Sequence, residues 1–299
     1  SRTERAAMTA KNEPSPLIDV ETLRALLGTP SLRVIDARFD LADPAAGHRA
    51  FAASRIPDAV YAHLDDDLSD HAKPASEGRH PLPDPDRFAV ALARWRITPA
   101  TPVVVYDGGS GAMAAARAWW LLRWMGHTDV RVLDGGFAAW VAAGAPVDAA
   151  PLATDAGQGR DEGGATATGW CPGSAPTVDA ATVAARAASV VLVDARARER
   201  FRGDVEPLDP KAGHIPGALN RPFADNLASG RFKPAAQLEA EWRALLAEGA
   251  TPWLTCGSGV TACHNALALM QAGWPMPVLF PASWSGWVSD ASRPVATGD

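Results

Sequence analysis

The sequence predicts an α/β protein of two tandem domains, each a mainly parallel sheet flanked by helices. Three observations lead there. Short apolar strands alternate with helix-length stretches along the chain, the pattern of parallel sheets covered on both faces. Four landmarks occur twice, in the same order. Between the copies lies a Gly-, Ala-, Thr- and Pro-rich stretch with no period, which reads as a linker. With 299 residues, 47% hydrophobic and 21% charged, the chain has material for two ordinary cores.

The first landmark is the strand at 32–38, ending in Asp36-Ala37-Arg38; 190–196 repeats it with Asp194-Ala195-Arg196, an offset of 158 between the aspartates. Arg55-Ile56-Pro57-Asp58-Ala59 recurs as His214-Ile215-Pro216-Gly217-Ala218, an offset of 159. Residues 101–108 recur at 251–257, which sets Asp107 against Cys256 at an offset of 149. Gly136-Phe137-Ala138-Ala139-Trp140 recurs as Ser283-Trp284-Ser285-Gly286-Trp287, an offset of 147. The drift implies a shorter loop in the second copy, and the unit repeated is domain-sized. The domains are therefore expected at 15–147 and 176–297, joined by a linker at 148–175. Within the first copy a helix is predicted from about 112 to 125, capped by Gly126, then a strand at 130–133. Within the second, Trp253-Leu254-Thr255 ends a buried strand, and a two-glycine loop follows. Val260, Cys263, Leu267 and Met270 then fall at helical spacing, with Gly273 as the stop. Both Asp-Ala-Arg triplets and both Asp/Cys loops lie at strand C-terminal ends, where open α/β sheets bind ligands.

Composition narrows the function. A net charge of −6 gives no support to a nucleic-acid partner. No apolar run approaches the ~20 residues of a membrane span, and the polar stretch 1–13 lacks the apolar centre of a signal peptide, so a cytoplasmic protein is expected. The three cysteines, Cys171, Cys256 and Cys263, argue against a disulfide framework and for a reducing compartment. Cys263-His264 lacks the spaced partners of a zinc site, and no metal is expected.

Cys256 is the residue to weigh. It leaves a strand and enters a loop that opens a helix, whose first turn offers free N–H groups and partial positive charge. That setting favours a thiolate and any anion formed on its sulfur. Gly257 and Gly259 allow the loop to turn its N–H groups inward. A buried core cysteine is the plainer alternative; the glycines and the loop position favour a nucleophile.

The run Cys256-Gly257-Ser258-Gly259-Val260-Thr261-Ala262 resembles the active-site loop of the rhodanese superfamily, in the form carried by 3-mercaptopyruvate sulfurtransferases. The resemblance extends from about 17 to 295. It implies a catalytically silent first domain, which Asp107 fits because a carboxylate cannot carry a sulfane sulfur. It implies a covalent persulfide on Cys256 and no bound cofactor, with Gly257, Gly259, Val260 and Thr261 lining the substrate. It further implies a Ser–His–Asp set, matched by Ser258, His80 and Asp66, that delivers a proton, and a donor carboxylate held by Arg200. The partners implied are a small-molecule sulfur donor and an acceptor: cyanide, a thiol or a thioredoxin-like dithiol.

Two departures stand out. Where many relatives have a second arginine, nine residues after Arg200, this chain has Asp209, with Lys211 the nearest cation. Near the end, where the family tends to have Asp-Gly-Ser-Trp-Ser-Glu-Trp, it has Pro281-Ala282-Ser283-Trp284-Ser285-Gly286-Trp287. Thiosulfate therefore stays open as the alternative donor. A cysteine phosphatase would need an arginine where Ala262 stands, and a pure binding module would not need the nucleophile. Asp36, Asp194 and His214 are expected to be structural.

Overall fold

The structure, a computed structural model, describes residues 14–149 and 169–299. The polar stretch 1–13 and most of the expected linker, 150–168, lie outside the described residues. Two units divide the described residues, one of 17–70 with 83–149 and 169–174, the other of 14–16, 71–82 and 175–299. The segment 71–82 thus stands inside the first sequence repeat but packs with the unit that carries Cys256.

The first unit runs β1 Leu17–Ile18, α1 Val20–Leu26, β2 Arg33–Asp36, α2 Ala46–Ala53, β3 Val60–Tyr61, α3 Pro85–Arg94, β4 Val103–Tyr106, α4 Ala115–Trp124, β5 Val130–Leu133 and α5 Gly136–Ala142. Its sheet is parallel throughout, in the order β1-β5-β4-β2-β3. Central β4 reads Val-Val-Val-Tyr and is buried along its whole length, as a strand covered on both faces must be. The Asp19 carboxylate caps α1 by accepting from the Thr22 N–H at 2.7 Å. Helix α4 begins at Ala115, later than the predicted 112. The intervening loop instead wraps the Asp107 carboxylate, which accepts the N–H groups of Gly109, Gly111 and Met113 at 3.0, 3.0 and 3.3 Å. Burial pushes the Asp107 carboxyl up, against the pull of those N–H groups.

The second unit runs α6 Ala180–Arg186, β6 Leu192–Asp194, α7 Arg198–Arg202, β7 Leu219–Asn220, β8 Leu227–Ala228, β9 Arg231–Phe232, α8 Ala235–Leu245, β10 Trp253–Thr255, α9 Thr261–Gln271, β11 Val278–Leu279 and α10 Ser283–Val288. Its main sheet, β11-β10-β6-β7, is again parallel, and β8-β9 form a small antiparallel hairpin. Asp179 caps α6 as Asp19 caps α1. The paired aspartates also do the same work in each unit. Asp36 grips the Arg38 guanidinium, whose Nη2 donates to the Ser54 carbonyl at 2.6 Å; Asp194 grips Arg196, whose Nη2 donates to the Gly213 carbonyl at 2.7 Å. Each triplet therefore ties a strand end to the chain before the Ile-Pro turn. His214 is fixed the same way, Nδ1 at 2.8 Å from the Phe201 carbonyl with the two rings stacked. Among the described residues no helix is long and apolar enough to cross a membrane.

Candidate active site

Strand β10, held between β6 and β11, delivers Cys256 at its C-terminal end, and α9 starts five residues later. The loop between is fastened to the start of α10. Cys256 N–H donates to Ser283 Oγ at 3.1 Å, and the Cys256 and Gly257 carbonyls accept from Trp284 and Ser285, each at 2.9 Å. Gly259 sits at φ +78°, where a Cβ would fall 2.3 Å from the Pro281 carbonyl oxygen, so no side chain fits there. Its N–H donates to Cys256 Sγ at 3.1 Å. Ser283 Oγ is 3.9 Å from the same sulfur but gives its one proton to the Phe280 carbonyl at 2.9 Å, so Gly259 is the better donor to sulfur. Cys263, on α9, braces the loop through the Gly259 carbonyl at 3.3 Å. Val260 and Thr261 form the corner into α9. Cys256 itself is 1% exposed. All three cysteines are free thiols.

Ser258 and His80 meet: Ser258 Oγ lies 2.8 Å from His80 Nδ1, and both residues are buried. Asp66 belongs to the other unit. Its side chain is 81% exposed, with a carboxylate oxygen 3.6 Å from His63 Nδ1.

Arg200, in the middle of α7, has its guanidinium on Glu206, Nη2 to Oε1 at 2.6 Å and Nε to Oε2 at 3.3 Å. Glu206 also lies 3.4 Å from Arg196. Burial alone would raise the Glu206 carboxyl, but Arg200 and the Leu208 and Asp209 N–H groups outweigh it and hold it low. Lys211 does not join this group; its ammonium donates to the Ala291 carbonyl at 3.2 Å on the surface. The second cation at the site is Arg79, which sequence reasoning missed. Its Nη1 donates to Asp209 Oδ1 at 2.5 Å, and its Nη2 approaches Gly257. Burial pushes the Asp209 carboxyl up, opposed by Arg79 and reinforced by Glu206. The one signal for Arg79 was its position next to His80.

Among the described residues no group of three or more His, Cys, Asp or Glu side chains is placed to hold a metal. The arrangement sets a buried sulfur under a backbone N–H, a hydroxyl against an imidazole, and guanidinium groups beside the loop.

A rhodanese-like domain matches residues 19–143 and again 178–290. The chain belongs to the rhodanese family. A Pseudomonas aeruginosa relative named "Probable 3-mercaptopyruvate sulfurtransferase" is 47% identical, over 95% of this chain and 98% of its own. A Mycobacterium tuberculosis relative with a provisional thiosulfate sulfurtransferase name is 41% identical, over 89% of this chain and 90% of its own. Among solved structures, the 3-mercaptopyruvate sulfurtransferase from Leishmania major superposes with a TM-score of 0.77 at 27% identity, covering 92% of this chain and 74% of its own.

Proposed function

We propose that this rhodanese-family sulfurtransferase moves sulfane sulfur from 3-mercaptopyruvate to a thiophilic acceptor through a persulfide on Cys256. The Cys256 thiolate attacks the donor sulfur, the sulfur–sulfur bond forms, and the C–S bond breaks with its electron pair leaving on carbon. That fragment is the enolate of pyruvate, and it needs a proton. The observation that carries the donor assignment is the 2.8 Å contact between Ser258 and His80, two residues beyond the nucleophile. A hydroxyl backed by an imidazole can pass a proton to the enolate as the bond breaks. The donor's own thiol proton restores the balance, leaving pyruvate and an anionic persulfide. The Gly259 N–H that meets Sγ, with the start of α9 beyond it, is suited to hold the anionic sulfur. Arg200 would hold the donor's carboxylate, and Gly257, Val260 and Thr261 would line it. The acceptor is cyanide, a thiol or a thioredoxin-like dithiol, which attacks the outer sulfur and restores the thiolate. No bound cofactor takes part, and the free thiols suit work in the cytoplasm.

A second reading, thiosulfate as preferred donor, is favoured by the name of the mycobacterial relative. Comparing kcat/KM for the two donors separates them, and a wide preference for thiosulfate would overturn the mercaptopyruvate assignment. For the shared chemistry, Cys256→Ser should abolish sulfur transfer with the fold intact. Mass spectrometry of the donor-treated parent should find one added sulfur on the Cys256 peptide. Sulfur on Cys171 or Cys263 instead would sink the assignment.

A further inference from the structure

We propose that Arg79 and Arg200 together form a two-guanidinium clamp beside Gly257 that binds the anionic end of the sulfur donor. The word donor rests on the sulfurtransferase reading; the anion site stands on geometry alone.

The two guanidinium groups converge on one place. A methyl carbon built on Gly257 would lie 3.3 Å from Arg79 Nη2 and 3.6 and 3.7 Å from Arg200 Nη1 and Nη2. That place adjoins the residue that follows the nucleophile. The acidic partners leave it open. Asp209 takes Arg79 at Nη1, and Glu206 takes Arg200 at Nε and Nη2. Asp209 Oδ2 lies 3.5 Å from Arg200 Nη2, so this one carboxylate spans the two cations. On Arg79 the other edge, Nε with Nη2, is the fork that matches a carboxylate or sulfonate with two parallel hydrogen bonds. Nε of that fork is buried and has no hydrogen-bond partner among the described residues. A buried donor left unpaired is unfavourable, and an anion seated on the fork would satisfy it.

Arg79 is also held in place before any ligand arrives. Its own N–H donates to Ser285 Oγ at 2.9 Å. Gly78, at φ +89°, lies so close to α10 that a Cβ would fall 2.5 Å from the Ala282 carbonyl oxygen. On the facing side a Cβ at Gly286 would fall 2.8 Å from the Ser76 carbonyl oxygen. Two glycines therefore let 76–79 press against α10 and aim the arginine, an ordering cost met in folding and not in binding. The side chain remains 29% exposed, so a small anion can reach it. In mercaptopyruvate the sulfur and the carboxylate carbon are three bonds apart, which suits an anion clamp one residue from Cys256.

The test uses two alkylating reagents of similar shape and opposite demand on the clamp, iodoacetate and neutral iodoacetamide. Their rates at the Cys256 peptide of the full-length protein are read by mass spectrometry. Both report the thiolate equally, so their ratio isolates recognition of the negative charge. In Arg79→Gln the iodoacetate-to-iodoacetamide ratio should fall about tenfold, with the iodoacetamide rate little changed. Arg79→Lys, which keeps the charge but loses the fork, should fall between. KM for mercaptopyruvate should rise about ten- to hundredfold in Arg79→Gln with kcat nearly kept, as for an anchor used in ground and transition states alike. An unchanged ratio, or an equal fall with both reagents, overturns the clamp, the second outcome assigning Arg79 to loop shape. Should no donor load sulfur on Cys256, the sulfurtransferase reading fails while the alkylation ratio still decides the anion site.

Discussion

Under the proposed mechanism, Ser258 distinguishes the two donors by whether the leaving group needs a proton. Pyruvate enolate does; sulfite, released from thiosulfate, is already a stable anion. Ser258→Ala removes the hydroxyl that His80 Nδ1 meets at 2.8 Å and should lower kcat for mercaptopyruvate by about a hundredfold or more. Thiosulfate turnover should survive. Equal losses with both donors would make Ser258 a loop-shaping residue and end its role in proton delivery. The Asp66 carboxylate is exposed and lies 3.6 Å from His63 Nδ1. Cys256 stands out in its own short string, because the strand end, the two-glycine loop and the helix start are encoded locally, whereas Ser258 and Arg200 were marked only by the family resemblance. Arg79 was marked by neither. Its placement depends on Gly78 and Gly286, which lie far apart in sequence and reveal their purpose only when 76–79 meets α10. The same holds for Lys211, nearest in sequence to the missing arginine yet turned to the Ala291 carbonyl.

Elements with a strong internal period were legible: β5 runs Val130–Leu133 as predicted, and α9 stops at Gln271 with Gly273 at φ +81° just beyond. Two-residue strands such as β3, β7 and β11 were not, because their pairing comes from the sheet and not from their own residues. Helix α8 shows how an element is tied down by charge. Glu241 accepts from Arg221 and Lys233 on neighbouring chain segments and from Gln237 one turn before it. Burial would raise its carboxyl, but those three donors outweigh it and hold the pKa at about 2, below the ordinary 4.5. A lowered folded-state value means the group stabilises the fold fully above 4.5 and loses that contribution as pH falls from there toward 2. Glu241→Gln should therefore melt below the parent at neutral pH, and the gap in Tm should close through that acid window. A gap that stays constant down to the lower limit would show that Glu241 contributes packing and not charge.

At the scale of the whole molecule the sequence shows its duplication plainly, since both units reproduce a parallel sheet with an Asp–Arg tie at a strand end. What it conceals is that 71–82 serves the unit of the second copy. The copies also differ in how they fill the loop after the central strand. In the second, one loop N–H meets a thiol sulfur; in the first, three N–H groups close on the Asp107 carboxylate. Asp107 thus occupies from within the kind of cradle that an anion on sulfur would need. At the repeat offsets Arg200 corresponds to Ala42 and Ser258 to Gly109, so the first copy lacks the cation and the hydroxyl as well as the thiol. Placing a nucleophile there should not restore chemistry. In a full-length Asp107→Cys, Cys256→Ser protein, donor treatment should leave no sulfur on residue 107 and no turnover. Tm should fall, because the N–H groups of Gly109, Gly111 and Met113 lose their acceptor, at a cost of about 1–3 kcal/mol for a buried donor left unpaired. Persulfide at 107 with turnover comparable to the parent would show that the first copy was silenced by a single substitution and that the arginine and serine of the second are dispensable.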